Sequence, residues 1–376
     1  MDVQLADVGR VVMPGILPDK AQAVATLCQG QGAGHEEATL YFAAARIAAL
    51  LGIRHQQGEP GAARYWLPLH TLLTDDAAAA GILDESHLWG GVVPFPFVAT
   101  KLVSHPLWQR DSVAPLGWRA VRGIEECTLP GYSVFSHQDA EEAGLALLRS
   151  GDVRLKCPFA RGGHGQVVVR SGRELVQWLQ SPASALVGDG LVIERHLVRS
   201  ITYSVGGSSL PGHEIAYHGE QRNVTDPGGA EVYGGSVLTV RRGDLSTLCA
   251  DVPEGELTSA VRAATRYDRA VRDAYGVIAS RRNYDVIVGT DAAGQRRCGV
   301  LEQSWRLGGA SPAEVVALAA LLRPGAAPVL EVSCHESHAP DHGPPPGAEV
   351  HYRAAGAARG PLLKYVMVEG SLGHTD

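Results

Sequence analysis

The chain has 376 residues, 45% of them hydrophobic and 19% charged, enough apolar material for a sizeable core and for roughly two or three domains. A net charge of −7 and a pI near 6.1 argue against a general affinity for nucleic acid or an anionic membrane surface. No apolar run approaches the ~18 residues of a membrane span, and the N-terminus lacks the basic-then-apolar order of a signal peptide, so the expected location is the cytoplasm.

In chain order, residues 11–13 read as a first strand. Residues 35–52 read as a helix, because Ala43, Ala44, Ile47, Ala48, Leu50 and Leu51 supply helix formers along an apolar stretch that Gly52 stops. Residues 65–69 read as a strand end, 75–82 as a short alanine-rich helix, and 91–98 as an apolar run broken by prolines. Alternating strand and helix signals predict a small α/β domain over 1–110, and no glycine fingerprint follows its first strand to suggest a dinucleotide. Lys101 stands where a helix can begin, a position that opposes the macrodipole unless an anion meets it; a solvated lysine is the plain alternative.

From residue 129 the pattern sharpens. Residues 130–136 read as a turn and a strand, with Ser136 capping a helix through Leu148. In 153–170 two apolar runs flank Arg161, Gly162, Gly163, His164 and Gly165, which make a hairpin tip of little bulk. Such a tip lets backbone N–H groups approach phosphates, with Lys156 as a point charge beside them; taken alone, the loop reads first as a loose surface hairpin. A helix from 172 leads into a strand over 191–198 that carries Glu194, Arg195 and His196 near its end.

Residues 200–330 form a second α+β stretch, with strands at 202–205 and 236–240 and a helix over 257–275. Two further strands, 281–288 and 297–310, are joined by the turn 289–294, which brings Asp285 and Glu302 side by side at one edge. Two like charges together call for a cation, and hard oxygen ligands suit Mg2+; solvated strand ends near Arg281, Arg282 and Arg306 are the alternative. Beyond 331 the chain is rich in Gly, Pro and Ala and reads as a tail, a composition that argues against a metal cluster of Cys334, His335, His338 and His342. Six scattered cysteines without a CxxC pair fit reduced thiols. Among 33 basic residues the lysines are Lys20, Lys101, Lys156 and Lys364 alone.

Taken together, residues 95–315 resemble the ATP-grasp superfamily, in the manner of biotin carboxylase and D-alanine–D-alanine ligase. The resemblance implies an α/β N-terminal (pre-ATP-grasp) domain over 1–110, followed by an α+β ATP-grasp fold of two subdomains. These are a lid subdomain over 111–197 with the glycine loop and a C-terminal subdomain over 198–330 with the metal site; a Gly/Pro-rich tail fills 331–376. It gives Lys101 and Lys156 to the nucleotide phosphates, residues 161–165 to a mobile loop, and residues 191–197 to a hinge where Glu194, His196 and Leu197 would meet adenine. Asp285 and Glu302 match the magnesium carboxylates, and residues 302–306 resemble Glu-x-Asn-x-Arg with Ser304 in place of the asparagine. Two departures stand beside these matches: residues 200–202 offer no ribose acid, and Arg222, Arg241 and Arg242 all qualify for the basic residue of the second subdomain.

The implied activity is an ATP- and Mg2+-dependent ligase of small-molecule carboxylate and amine substrates, with Arg306 and either Arg282 or Arg281 on the substrate carboxylate or transferred group. A homodimer is the common assembly of such folds. An ATP-binding regulatory protein without chemistry, and a phosphotransferase, are the alternatives.

Overall fold

The computed structural model describes residues 21–28, 34–57, 64–159, 165–338, 343–356 and 360–371. The strand expected at 11–13 and the tip residues Arg161, Gly162, Gly163 and His164 lie outside them.

The N-terminal part runs β1 (Ala23–Leu27), α1 (Gly34–Leu51), β2 (Arg54–Gln57), β3 (Arg64–Pro68), β4 (Leu72–Leu73), α2 (Thr74–Ala79) and β5 (Gly91–Val93). Strands β1, β2 and β3 form a parallel sheet in the order β2-β1-β3. Helix α1 places Glu36 and Glu37 in its first turn, favourable against the helix dipole, and buries Leu40, Ala43, Ala44, Ile47 and Ala48. Two short 3-10 turns follow, Pro96–Ala99 and Lys101–Ser104.

Next come β6 (Gly131–Val134), α3 (His137–Leu148), β7 (Val153–Lys156), β8 (Gln166–Val169), α4 (Gly172–Leu179) and β9 (Leu191–Arg195). Their strands make an antiparallel sheet, β6-β9-β7-β8, whose one face is covered by α3 and α4 through Ala140, Ala143, Leu147 and Leu175. Ser136 caps α3 as its chemistry predicts, its Oγ accepting from the Asp139 N–H at 3.1 Å.

The remainder is β10 (Leu197–Leu210), β11 (His213–Thr225), β12 (Glu231–Arg242), α5 (Leu248–Asp251), α6 (Glu256–Tyr275), β13 (Ile278–Ala279), β14 (Arg281–Asp291), β15 (Arg296–Ser304), α7 (Ser311–Leu321), β16 (Val329–Ser337), β17 (Glu349–Ala354) and β18 (Leu362–Ser371). Eight of these strands form one antiparallel sheet, β15-β14-β10-β11-β12-β16-β18-β17. Side chains alternate across it. One face carries Tyr217, Leu238, Val332 and Val366 into a core with α1, α7 and the parallel sheet. The other carries Tyr203, Val205, Tyr284 and Val286 against α6 and the 3-10 turns. A small third sheet, β13-β5-β4, ties the N-terminal part to this body, and Gly91 allows it: a Cβ there would lie 2.5 Å from Trp305 Cβ.

Two expectations are corrected here. The strand expected over 191–198 is two strands in two sheets, separated by His196, whose N–H leaves the ladder to donate to Asp152 O at 2.9 Å. The tail expected over 331–376 is also not a tail. Residues from Leu330 to Val366 supply β16, β17 and β18, the edge of the large sheet, because Leu330, Val332, Cys334, Leu363 and Val366 are buried apolar positions; much of the Gly and Pro sits in the connection between β16 and β17. Cys334 is buried in the core while His335, its neighbour on the strand, stacks on Tyr365, and among the described residues no cluster of three His, Cys, Asp or Glu side chains forms a metal cage.

Candidate functional site

Strands β14 and β15 pair so that Asp285 lies opposite Glu302 and Asn283 opposite Ser304, with a bulge just beyond Asp285. The two carboxylates therefore meet as the hairpin pattern predicts. The residue between Glu302 and Ser304 does different work: Gln303 points to the other face, where its Nε2 donates to Val98 O at 2.8 Å and Thr100 O at 2.7 Å. That stitches the turn carrying Lys101 to the strand carrying Glu302. Lys101 Nζ then sits 2.9 Å from Glu302 Oε2, the lysine 4% exposed and the glutamate 35%. Burial alone would raise Glu302; Lys101, and more distantly Lys156 and Arg306, outweigh it and hold the carboxyl below its ordinary range.

Asp285 is answered differently. Its Oδ1 accepts from Gln221 Nε2 at 2.6 Å and from Asn283 Nδ2 at 3.0 Å, two neutral donors. Burial first, and the charge of Glu302 second, push it up to about 6. Neither amide was singled out in the sequence, and their polar side chains on strands give no signal that would distinguish them.

The arginines divide by strand alternation. Arg281, on the face of Asp285, makes a fully buried bidentate pair with Glu314 of α7, Nε to Oε2 at 2.9 Å and Nη2 to Oε1 at 2.7 Å. Its Nη1 donates to the carbonyls of Ser304 and Arg306, so it fixes the backbone at the end of β15 and is spoken for. Arg282, expected on the substrate, is one residue on and faces the other way, donating to Asp268 of α6 at 3.2 Å. That assignment is corrected: successive strand side chains cannot serve one face. Ser304 Oγ accepts from Arg281 Nη1 at 3.3 Å, and a guanidinium there argues against a cation at this hydroxyl. Arg306 lies near enough to act on Glu302, with its Nη1 donating to Leu307 O at 2.6 Å.

Lys156 ends β7 and is 3% exposed. Its Nζ donates to Glu194 Oε1 at 2.5 Å, and His105 Nε2 donates to Glu194 Oε2 at 3.1 Å. Burial would raise Glu194, but Lys156 and His105 outweigh it and draw the carboxyl down to about 2, while burial pulls Lys156 down despite Glu194. The adenine contact expected of Glu194 is therefore corrected to an internal ion pair. The His196 N–H is likewise taken by Asp152 O, and its Nδ1 lies 3.2 Å from Arg154. Leu197 is 5% exposed at the start of β10, and Gly165 takes a left-handed φ of 64° where β8 begins. Of the three arginines left open, Arg222 follows Gln221 on β11 and donates to His335, whereas Arg241 and Arg242 close β12 at its other end.

Lysines from two elements and carboxylates from two adjacent strands thus converge, since the charge of Lys156 reaches both Lys101 and Glu302. The set fits a magnesium–phosphate ligand. Two carboxylates, one of them lacking a cationic partner of its own, are what Mg2+ commonly uses when phosphate oxygens complete its shell. Asp285 and Glu302 would hold the ion.

Solved structures are similar to this chain to different degrees. A pyruvate carboxylase variant from Rhizobium etli, solved with the allosteric activator acetyl coenzyme-A, aligns with a TM-score of 0.51 at 12% identity, over 94% of this chain and 36% of that one. The chain therefore spans little more than a third of that protein's length. The biotin carboxylase domain of 2-oxoglutarate carboxylase from Hydrogenobacter thermophilus, in complex with MgADP, ADP and bicarbonate, gives 0.48 at 13% identity over 94% and 87% of the two chains. D-alanine–D-alanine ligase from Bacillus anthracis gives 0.41 at 11% over 76% and 86%. The fold is ATP-grasp-like. No curated protein matches the sequence. Residues 24–366 match the family model described as "Protein of unknown function (DUF3182)".

Proposed function

The chain belongs to the DUF3182 family, described as proteins of unknown function, and we propose that it is an ATP- and Mg2+-dependent ligase that activates a carboxylate as an acylphosphate. One observation carries this reading: Lys101, Lys156, Asp285 and Glu302 come from four separate elements to one place, with a charge balance suited to a metal-bound phosphate chain. In the reaction a carboxylate oxygen of the substrate attacks the γ-phosphorus of ATP, the bond from that phosphorus to the β–γ bridging oxygen breaks, and ADP leaves with the electron pair. An amine nitrogen then attacks the acyl carbon, phosphate departs, and the amine gives up a proton. Bound Mg2+ supplies charge neutralisation on the phosphate oxygens.

The chain's own residues do the positioning. Lys101 and Lys156 present ammonium groups to phosphate oxygens, and Arg306 is the arginine on the carboxylate side of the site. Arg281 acts through others: bonded to Glu314, it holds the Ser304 and Arg306 carbonyls, and with them the strand end that carries Glu302. Among the described residues no helix is long and apolar enough to cross a membrane.

The test is thermal melting with Mg-ATP, followed by phosphate release in the presence of pooled carboxylates and amines. Ligand at about 100 times its dissociation constant stabilises by roughly 2.7 kcal/mol, which a melt resolves. The expected result is a metal-dependent rise for wild type that Glu302→Gln and Lys156→Met both lose, and phosphate release that needs both co-substrates. A rise without release under any pool would favour a nucleotide-binding regulator. Release with a single acceptor and a persistent phosphorylated product would favour a phosphotransferase.

A further inference from the structure

We propose that Lys101 is the resident counterion of Glu302 and yields that place to a divalent cation only when phosphate oxygens arrive to take the lysine, so that cation and triphosphate bind as one unit. The identity of the phosphate ligand rests on the ligase reading above; the exchange itself rests on the lysine and the two carboxylates.

Three features build the pairing in. The ammonium is not a surface group that has folded over by chance, because Lys101 is 4% exposed and sits 2.9 Å from Glu302 Oε2. Its turn is also fastened to the strand of its partner, through the two Gln303 bonds to Val98 O and Thr100 O, and is itself capped by the Thr100 hydroxyl accepting from the Leu102 N–H at 3.3 Å. And the second carboxylate, Asp285, accepts hydrogen bonds from two neutral amides, so a cation brought to the pair competes with Lys101 for Glu302.

A buried ammonium is not displaced from its carboxylate by another cation without an anion to receive it. Metal alone brings no such anion and repels the lysine. A triphosphate brings several oxygens, and Glu302, 35% exposed, is open to the incoming ion once the lysine turns away. The exchange makes metal and nucleotide mutually dependent through the protein, in addition to the affinity they have for each other in solution.

The experiment uses Mn2+ alone, read by its paramagnetic resonance signal, on wild type and Lys101→Met, with a β,γ-methylene ATP analogue titrated separately. Removing the resident cation leaves two carboxylates facing each other, so Lys101→Met is expected to bind Mn2+ alone at least tenfold more tightly than wild type while binding the analogue more weakly. Opposite signs are the signature. A Lys101→Met protein that binds Mn2+ no better than wild type overturns the proposal.

Wild type supplies a second measurement if the variant fails to fold. With so few lysines in the chain, selective 15N-lysine labelling gives few ammonium signals, and that of Lys101 is identified by its loss in Lys101→Arg. It should move with the metal-free analogue and stay in place with Mg2+ alone. Movement with Mg2+ alone overturns the exchange. If no signal responds to the analogue and melting shows no binding, the ligase reading falls, while the Mn2+ comparison still decides whether Lys101 guards Glu302.

Discussion

Glu194 and Asp285 are both polar groups drawn into the protein, and their surroundings send them opposite ways. Glu194, 1% exposed on β9, is held between the Lys156 ammonium and His105, and its carboxyl is drawn down to about 2. Asp285 on β14 faces another carboxylate and is answered by two amides, with Arg281 a weaker influence, and it rises to about 6. A carboxylate closed on both oxygens, by an ammonium and an imidazole, is a finished joint. One that has only dipoles and a like charge for company is an incomplete site.

The largest expected effect comes from breaking the finished joint. Glu194→Gln leaves the Lys156 ammonium buried without a counter-charge, which costs about 3–5 kcal/mol and should appear as a large fall in urea midpoint at neutral pH. Because the folded carboxyl is held below its unfolded value, the stability it contributes is present above pH ~4.5 and is lost as pH falls toward 2. The gap between wild type and variant should therefore narrow in acid. Burial draws Lys156 down as well, so the pair as a whole contributes less than Glu194 viewed alone.

A middling effect tests strand alternation. Arg282→Met removes the bond to Asp268, whose other oxygen accepts from the Tyr284 hydroxyl, at a cost of about 2 kcal/mol. Since Arg282 faces α6, the nucleotide-induced rise in melting temperature should be unchanged. A lost rise would return Arg282 to the site.

The smallest effect belongs to the incomplete site. The folded pKa of Asp285 lies above its ordinary value, so stability falls as pH climbs from ~4 to ~6 and then levels off. Asp285→Asn has no such penalty: it should gain on the order of 1 kcal/mol above pH ~6 and nothing below pH ~4, while losing the metal-dependent response to ATP. Melts across pH with and without Mg-ATP read both.

Much of this was legible in the chain. The caps and apolar runs that define α1, α3 and α6 are local, and the pairing of Asp285 with Glu302 follows from counting along a hairpin. What was hidden depended on partners far away. Alternation places Arg281, not Arg282, on the face of Asp285, but that Arg281 is already taken by Glu314 of α7 requires knowing what packs on that face. Glu194 looked like a hinge residue since nothing near it announces Lys156 and His105 as its neighbours in space. The strands β16 to β18 were masked by the Gly and Pro of their connection, which dominate the composition of a stretch whose apolar positions are nonetheless regularly spaced.

That last correction bears on how the protein is made. Val24, α1 and Val366 belong to one core, and Arg46 of α1 pairs with Glu349 of β17. On a ribosome, the apolar side of α1 therefore waits for strands roughly three hundred residues downstream, a delay of tens of seconds at ~5–20 residues per second. Until those strands emerge, α1 is poorly able to protect its apolar side, which makes it a natural customer for a holding chaperone and the place where a stalled or truncated product would begin to aggregate.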